Sequence, residues 1–186
     1  TEALDTFYPY FRLQEEGYEV VVAGPEARLY HTVLHEIPPD SAVPWDITQE
    51  RPGYFIKATA AFRDCRGADF AGAFVSGGRA PEYLRLDPKV LACVRHFAAA
   101  NKPIAAICHG VIVLARTRDE DGRSVLHDRR TTCLPKYMER SAFLLTAWKL
   151  GRYYRTYPAY VEDEVRAALA DPKAQFVRGP RTMTRR

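Results

Sequence analysis

No stretch of this chain approaches the roughly 18 uninterrupted apolar residues that a membrane span requires. The opening TEALDTFYPY also lacks the charged-then-apolar pattern of a secretory leader. Both absences argue against a membrane protein and make the cytoplasm the expected location. Cysteine is sparse as well: Cys65, Cys93, Cys108 and Cys133 lie far apart, with no CxxC pair. Neither a disulfide framework nor a cysteine-rich metal knuckle is therefore expected, and the four read as reduced thiols. Charge of one sign is not in excess, since 27 basic against 23 acidic residues leave a net charge of +4. A nucleic-acid partner is not expected. Basic residues do gather in RGPRTMTRR at the end, which reads as a chain terminus rather than a binding arm. What remains is an ordinary globular composition. A chain of 186 residues that is 47% hydrophobic implies one domain, spanning 1–186, with a real core.

Along the chain, apolar periodicity alternates between two kinds. Residues 3–16 place Leu4, Phe7, Tyr8 and Phe11 at helical spacing, with Gly17 as the stop and Pro9 bending the helix. YEVVVA (18–23) reads as a short strand. Residues 26–53, with four prolines and a tryptophan, read as an irregular excursion. YFIKATAAF (54–62) and DFAGAFVSGG (69–78) read as strands, the second ending in two glycines. Asp87 then caps a helix whose first turn carries Pro88 and whose apolar face joins Val90, Leu91, Val94, Phe97 and Ala98. PIAAIC (103–108) is apolar on both faces, as a central parallel strand should be, and HGVIVLAR begins the next helix. TTC (131–133) and QFV (175–177) are short strand candidates. YMERSAFLLTAWKL (137–150) is a helix apolar nearly all round, which predicts burial or a subunit contact. VEDEVRAALA (161–170) is an amphipathic helix stopped by Asp171-Pro172. Strands alternating with helices predict an α/β, doubly wound sandwich with a mostly parallel central sheet flanked by helices.

One junction carries chemistry. In PIAAICHGV a buried strand runs straight into Cys108, His109 and Gly110 before a helix begins, the layout of a nucleophile elbow. The sharp turn projects the Cys108 sulfur from the carboxyl edge of the sheet. Gly110 lets the following helix approach closely, and the helix N-terminus favours the thiolate. Backbone N–H groups of His109 and of the Gly77-Gly78 loop are candidates to hold a developing oxyanion.

These motifs carry a resemblance. GGRAPEYLRLDPKV followed by NKPIAAICHG closely resembles the DJ-1/PfpI superfamily on its PfpI-like branch, as does TEALDTFYPYFRLQEEGYEVVVA at the start. The resemblance is good over 1–24 and 70–110, and looser over 26–60 and 130–186. It implies a flavodoxin-like fold close to class I glutamine amidotransferases, with Cys108 as nucleophile and His109 beside it. It further implies a triad acid from a neighbouring subunit, Glu82 in GRAPE, and an acid from the first helix beside the sulfur. Counting back four from Pro9, that acid is Asp5, where the family usually has Glu and its isonitrile-hydratase-like members have Asp. The family's first strand would precede Thr1 and its final hairpin and helix would follow RTMTRR, so a partial or trimmed chain is expected.

The implied function is a cysteine-dependent hydrolase or lyase of the glyoxalase/deglycase, peptidase-like or isonitrile hydratase-like kind. It would act on a small-molecule or peptide electrophile, without cofactor or metal, as a homodimer or higher homo-oligomer. The alternative is a redox-sensing stress-response protein or chaperone whose Cys108 is oxidised. Other motifs weigh less. His31 and His35 have zinc half-site spacing but no third ligand. GRYYRTYPAY mixes arginine and tyrosine as single-strand binders do, yet reads better as packing. Cys65, Cys93 and Cys133 read as structural thiols, and His96 and His127 as surface or helix-end residues. Arg79 could equally steer an anionic substrate or pair with a carboxylate.

Overall fold

A computed structural model of the chain describes residues 1–34 and 51–179. Helix α1 (Ala3–Glu15) starts where the Glu2 side chain accepts a hydrogen bond from the Asp5 N–H, and Pro9 lies within it without ending it. Strand β1 (Ala23–Gly24) pairs in parallel with β4 (Ala60–Ala61), while β2 (Leu29–Leu34) pairs antiparallel with β3 (Arg51–Lys57). Strand β5 (Ala73–Val75) pairs in parallel with β6 (Ile104–Ala106), and three short stretches of 3-10 geometry and the helices fill the rest. Helices α2 (Pro81–Leu84) and α3 (Pro88–Ala99) fall between β5 and β6; α4 (Val111–Arg116), α5 (Lys136–Leu150), α6 (Val161–Ala167) and α7 (Pro172–Gln175) follow β6. The protein is α/β, with parallel sheet pieces and helices packed against them.

The core is built on α4. All of Val111, Ile112, Val113, Leu114 and Ala115 are buried, and α4 packs on α6 through Val161 and Val165, which have no exposed surface. Fully burying each such side chain contributes about 1.5–3 kcal/mol. Helix α3 adds Val94 and Phe97 from its apolar face. Its start is as the sequence predicts: the Asp87 carboxylate accepts the N–H groups of Lys89 and Val90, and Pro88 occupies the first turn.

Several expectations need correction. The segment 26–53 is not wholly irregular, because Leu29–Leu34 extends as β2 against β3, with a bulge between His31 and Val33. The predicted strand 54–62 is instead part of β3, then β4 after a two-residue break, then a turn of 3-10 helix at Phe62–Asp64. Of the expected strand 18–23 only Ala23 pairs as a strand, together with Gly24 beyond it, although the Val22 carbonyl accepts from Thr59 and Ala60. TTC and QFV reduce to a single parallel bridge between Thr131 and Phe176. Helix α5 is not enclosed: Leu144, Leu145 and Trp148 stand well exposed, while Glu139 and Thr146 on the same helix are buried. No described helix is long and apolar enough to cross a membrane. His35 and most of the basic tail lie outside the described residues.

Candidate active site

Pairing of β5 with β6 positions Cys108. Val75 lies opposite Ala106, and the Ile107 N–H extends the ladder to the Val75 carbonyl at 3.1 Å. The next residue breaks away: Cys108 adopts φ 54°, a left-handed conformation that strains any side-chain-bearing residue by about 1–3 kcal/mol. Residues Cys108–Gly110 form a 3-10 turn closed by a 2.7 Å bond from the Gly110 N–H to the Ile107 carbonyl. That bond occupies the Gly110 N–H, so the contribution of Gly110 is space. A Cβ there would sit 2.4 Å from the Val75 carbonyl oxygen. The turn is thus held by close backbone contact beneath it, and α4 starts immediately after.

His109 faces both ways. Its Nδ1 lies 3.4 Å from the Cys108 Sγ, and its Nε2 lies 3.5 Å from Oε1 of Glu139 on α5. Glu139 is buried, and its second oxygen accepts the Val161 N–H at 2.9 Å, which fixes the carboxylate against the start of α6. Burial works to lower the His109 imidazole. The hydrogen bonds and charges of Cys108 and Glu139 outweigh it and push His109 up to about 9. The ring is therefore an imidazolium at neutral pH, between a sulfur and a carboxylate. Sulfur, imidazole and carboxylate in line within one chain form the layout of a nucleophile, a proton carrier and an orienting acid.

The other predicted site residues sit at different distances from this line. A Cβ on Gly77 would lie 2.1 Å from Asp5 Oδ2 and 2.6 Å from the Cys108 Cβ, so Asp5 and Cys108 share the space over Gly77. Gly78 has φ +72°, and a Cβ on it would strike the Glu2 N at 2.4 Å, so this loop presses against the start of α1. Thr1, Thr6 and Ser76 tie the same junction together through their hydroxyls. Glu82 lies in α2, where its carbonyl accepts from Arg85 and its charge acts on Tyr157; the acid that faces His109 in this chain is Glu139.

A model of the DJ-1/PfpI family matches residues 1–144. The chain belongs to the DJ-1/PfpI family. Among its relatives, an uncharacterised protein of Archaeoglobus fulgidus is 31% identical over 122 residues, 66% of this chain and 62% of that protein. Deglycase PfpI of Pyrococcus furiosus is 32% identical over 113 residues, 61% of this chain and 57% of the relative. The chain thus spans less than two thirds of the length of either. Among solved structures, glyoxalase III from Candida albicans superposes with a TM-score of 0.62 over 95% of this chain and 72% of its own, at 13% identity. That likeness establishes a shared DJ-1/PfpI fold.

Within this candidate site of a DJ-1/PfpI chain, sequence reasoning missed Glu139, Tyr157 and Arg85. Glu139 had one visible sign, a carboxylate set in an otherwise apolar helix. Tyr157 stacks on the His109 ring at 5.5 Å with planes 21° apart, and the Arg85 guanidinium lies 5.0 Å from the Tyr157 centroid. Neither residue shows a spacing signal, because Tyr157 reaches the site from a loop between α5 and α6. Burial raises the Cys65 and Cys93 thiols, and burial with the charge of Glu162 raises Cys133 strongly, which disfavours the thiolate in all three. Among the described residues no group of three or more His, Cys, Asp or Glu could hold a metal. GRYYRTYPAY packs on its surroundings, with Arg155 over Tyr160 at 4.0 Å and Arg79 over Tyr153 at 4.1 Å.

Proposed function

We propose that the chain is a cysteine-dependent hydrolase or lyase of the DJ-1/PfpI type, acting on a carbonyl or acyl-like electrophile of the glyoxalase/deglycase kind. The observation that carries this reading is the line from Cys108 Sγ through His109 to Glu139, at 3.4 and 3.5 Å. The names of its relatives, a deglycase and a glyoxalase, point to the same class. In the first step the Cys108 thiolate adds to the carbonyl carbon and the π pair moves onto oxygen. That oxygen takes a proton from the His109 imidazolium, giving a hemithioacetal and a neutral imidazole ready to act as base. Glu139 holds the ring in the correct orientation and stabilises its charge. Asp5, beside the sulfur, helps hold the thiolate by donating a hydrogen bond from its protonated carboxyl, and the Gly77-Gly78 loop offers backbone donors to the oxyanion.

The test is turnover of a panel of methylglyoxal, small amides, isonitriles and unfolded peptides. Cys108→Ala and His109→Ala are both expected to abolish it. If oxidation of Cys108 still triggers a response in His109→Ala while no panel member is consumed by the natural chain, the protein is a redox sensor instead. We further propose a homo-oligomer, supported by the exposed apolar strip of Leu144, Leu145 and Trp148 on α5. Trp148→Glu should lower the mass measured by light scattering.

A further inference from the structure

Tyr157 is 6% exposed, and among the described residues its hydroxyl has no hydrogen-bond partner. A buried hydroxyl without a partner is penalised, and such groups in native proteins are few. This one is not left over from loose packing. Its ring lies against the His109 imidazole, 5.5 Å between centroids and nearly parallel. The buried Arg85 guanidinium lies against the same phenol ring, held by its own bond to the Glu82 carbonyl at 3.1 Å. The backbone is pinned too, since Arg155 donates to the carbonyls of Tyr157 and Pro158 while stacking on Tyr160. Ring and main chain are thus both held in place. Burial first, and then the charge of Glu82, push the phenol up, so it stays protonated and can only serve as a neutral donor or acceptor.

We propose that Tyr157 is a catalytic residue of this site, whose hydroxyl donates a hydrogen bond to the oxygen of the electrophile that Cys108 attacks. This rests on the carbonyl reading above. A fixed, protonated, unpartnered donor next to the proton carrier meets the requirement for stabilising charge that develops on that oxygen, because it needs no reorganisation when the charge appears. As Sγ–C forms and the π pair moves to oxygen, the phenol keeps its proton and shares it. The proton transferred is that of His109.

The experiment compares Tyr157→Phe with the natural chain, since Phe keeps the ring stack and removes only the hydroxyl. Two quantities are read: kcat/KM for methylglyoxal, and the methylglyoxal concentration that half-protects Cys108 from iodoacetamide. Tyr157→Phe is expected to lower kcat/KM by roughly 10- to 100-fold and to raise the protecting concentration at least tenfold. The direct alkylation rate across pH should be unchanged, as alkylation builds no oxyanion, and the melting temperature should not fall. Equal turnover and equal protection in the two proteins would overturn the donor role. A fall in melting temperature with an altered alkylation profile would overturn it as well, by showing that the hydroxyl supports the fold. Absence of both turnover and protection in the natural chain would sink the carbonyl reading, and the proposal with it; that failure shows in the natural chain rather than in the variant.

Discussion

At the scale of single residues, the candidate site divides into the Cys108 sulfur, the His109 ring and the groups packed around that ring. Two acids compete for the orienting role, Glu139 within the chain and Glu82 from another copy. With Glu139 Oε1 at 3.5 Å from His109 Nε2, Glu139→Gln should lower kcat by roughly 10²-fold or more. Glu82→Gln should lower it less; a larger loss for Glu82→Gln in the assembled protein would return the role to the neighbouring subunit. The pH dependence follows from the ring. His109 is pushed up to about 9, so it is charged below that pH and loses its proton above it. Turnover limited by proton donation should therefore decline as pH rises through about 9. In Glu139→Gln, where one of the groups raising His109 is gone, that decline should move to lower pH.

At the scale of elements, local rules held where a signal sits within a few residues. The start of α3 is the clear case, with the Asp87 side chain on two N–H groups and Pro88 following. Asp87→Ala should destabilise the protein by about 1 kcal/mol in urea denaturation without changing Cys108 alkylation. The turn from β6 into α4 was equally legible, because an apolar run into Cys-His-Gly leaves few conformations. Its sensitive residue is Gly110, whose added Cβ would meet the Val75 carbonyl at 2.4 Å. Gly110→Ala should cost both stability and alkylation rate, since the turn must open to admit it. Strand ends were less legible. Which residues of 18–23 and 54–62 pair depends on a partner strand far along the chain, and neither segment carries its partner's register in itself.

At the scale of the whole molecule, stability is concentrated where α4 meets α6. Ile112→Ala, at a side chain with no exposed surface, should cost about 2–5 kcal/mol in a denaturant titration. The charged ring gives stability a pH dependence with a definite sign. His109 is raised from its ordinary value near 6.5 to about 9, so its contribution is fully present below about 6.5 and is lost as pH rises through about 9. Unfolding free energy should fall across that window, and His109→Gln should flatten the fall. By itself the sequence determined the α/β class, the start of α3 and the Cys108 turn, since each is written in contiguous residues or in a short motif. Only the tertiary structure decided that Glu139 faces His109, that Tyr157 and Arg85 stack behind the ring, and that α5 turns Trp148 outward. Those contacts join residues about 30 to 70 positions apart, and the chain carries no periodicity that marks them before packing brings the elements together.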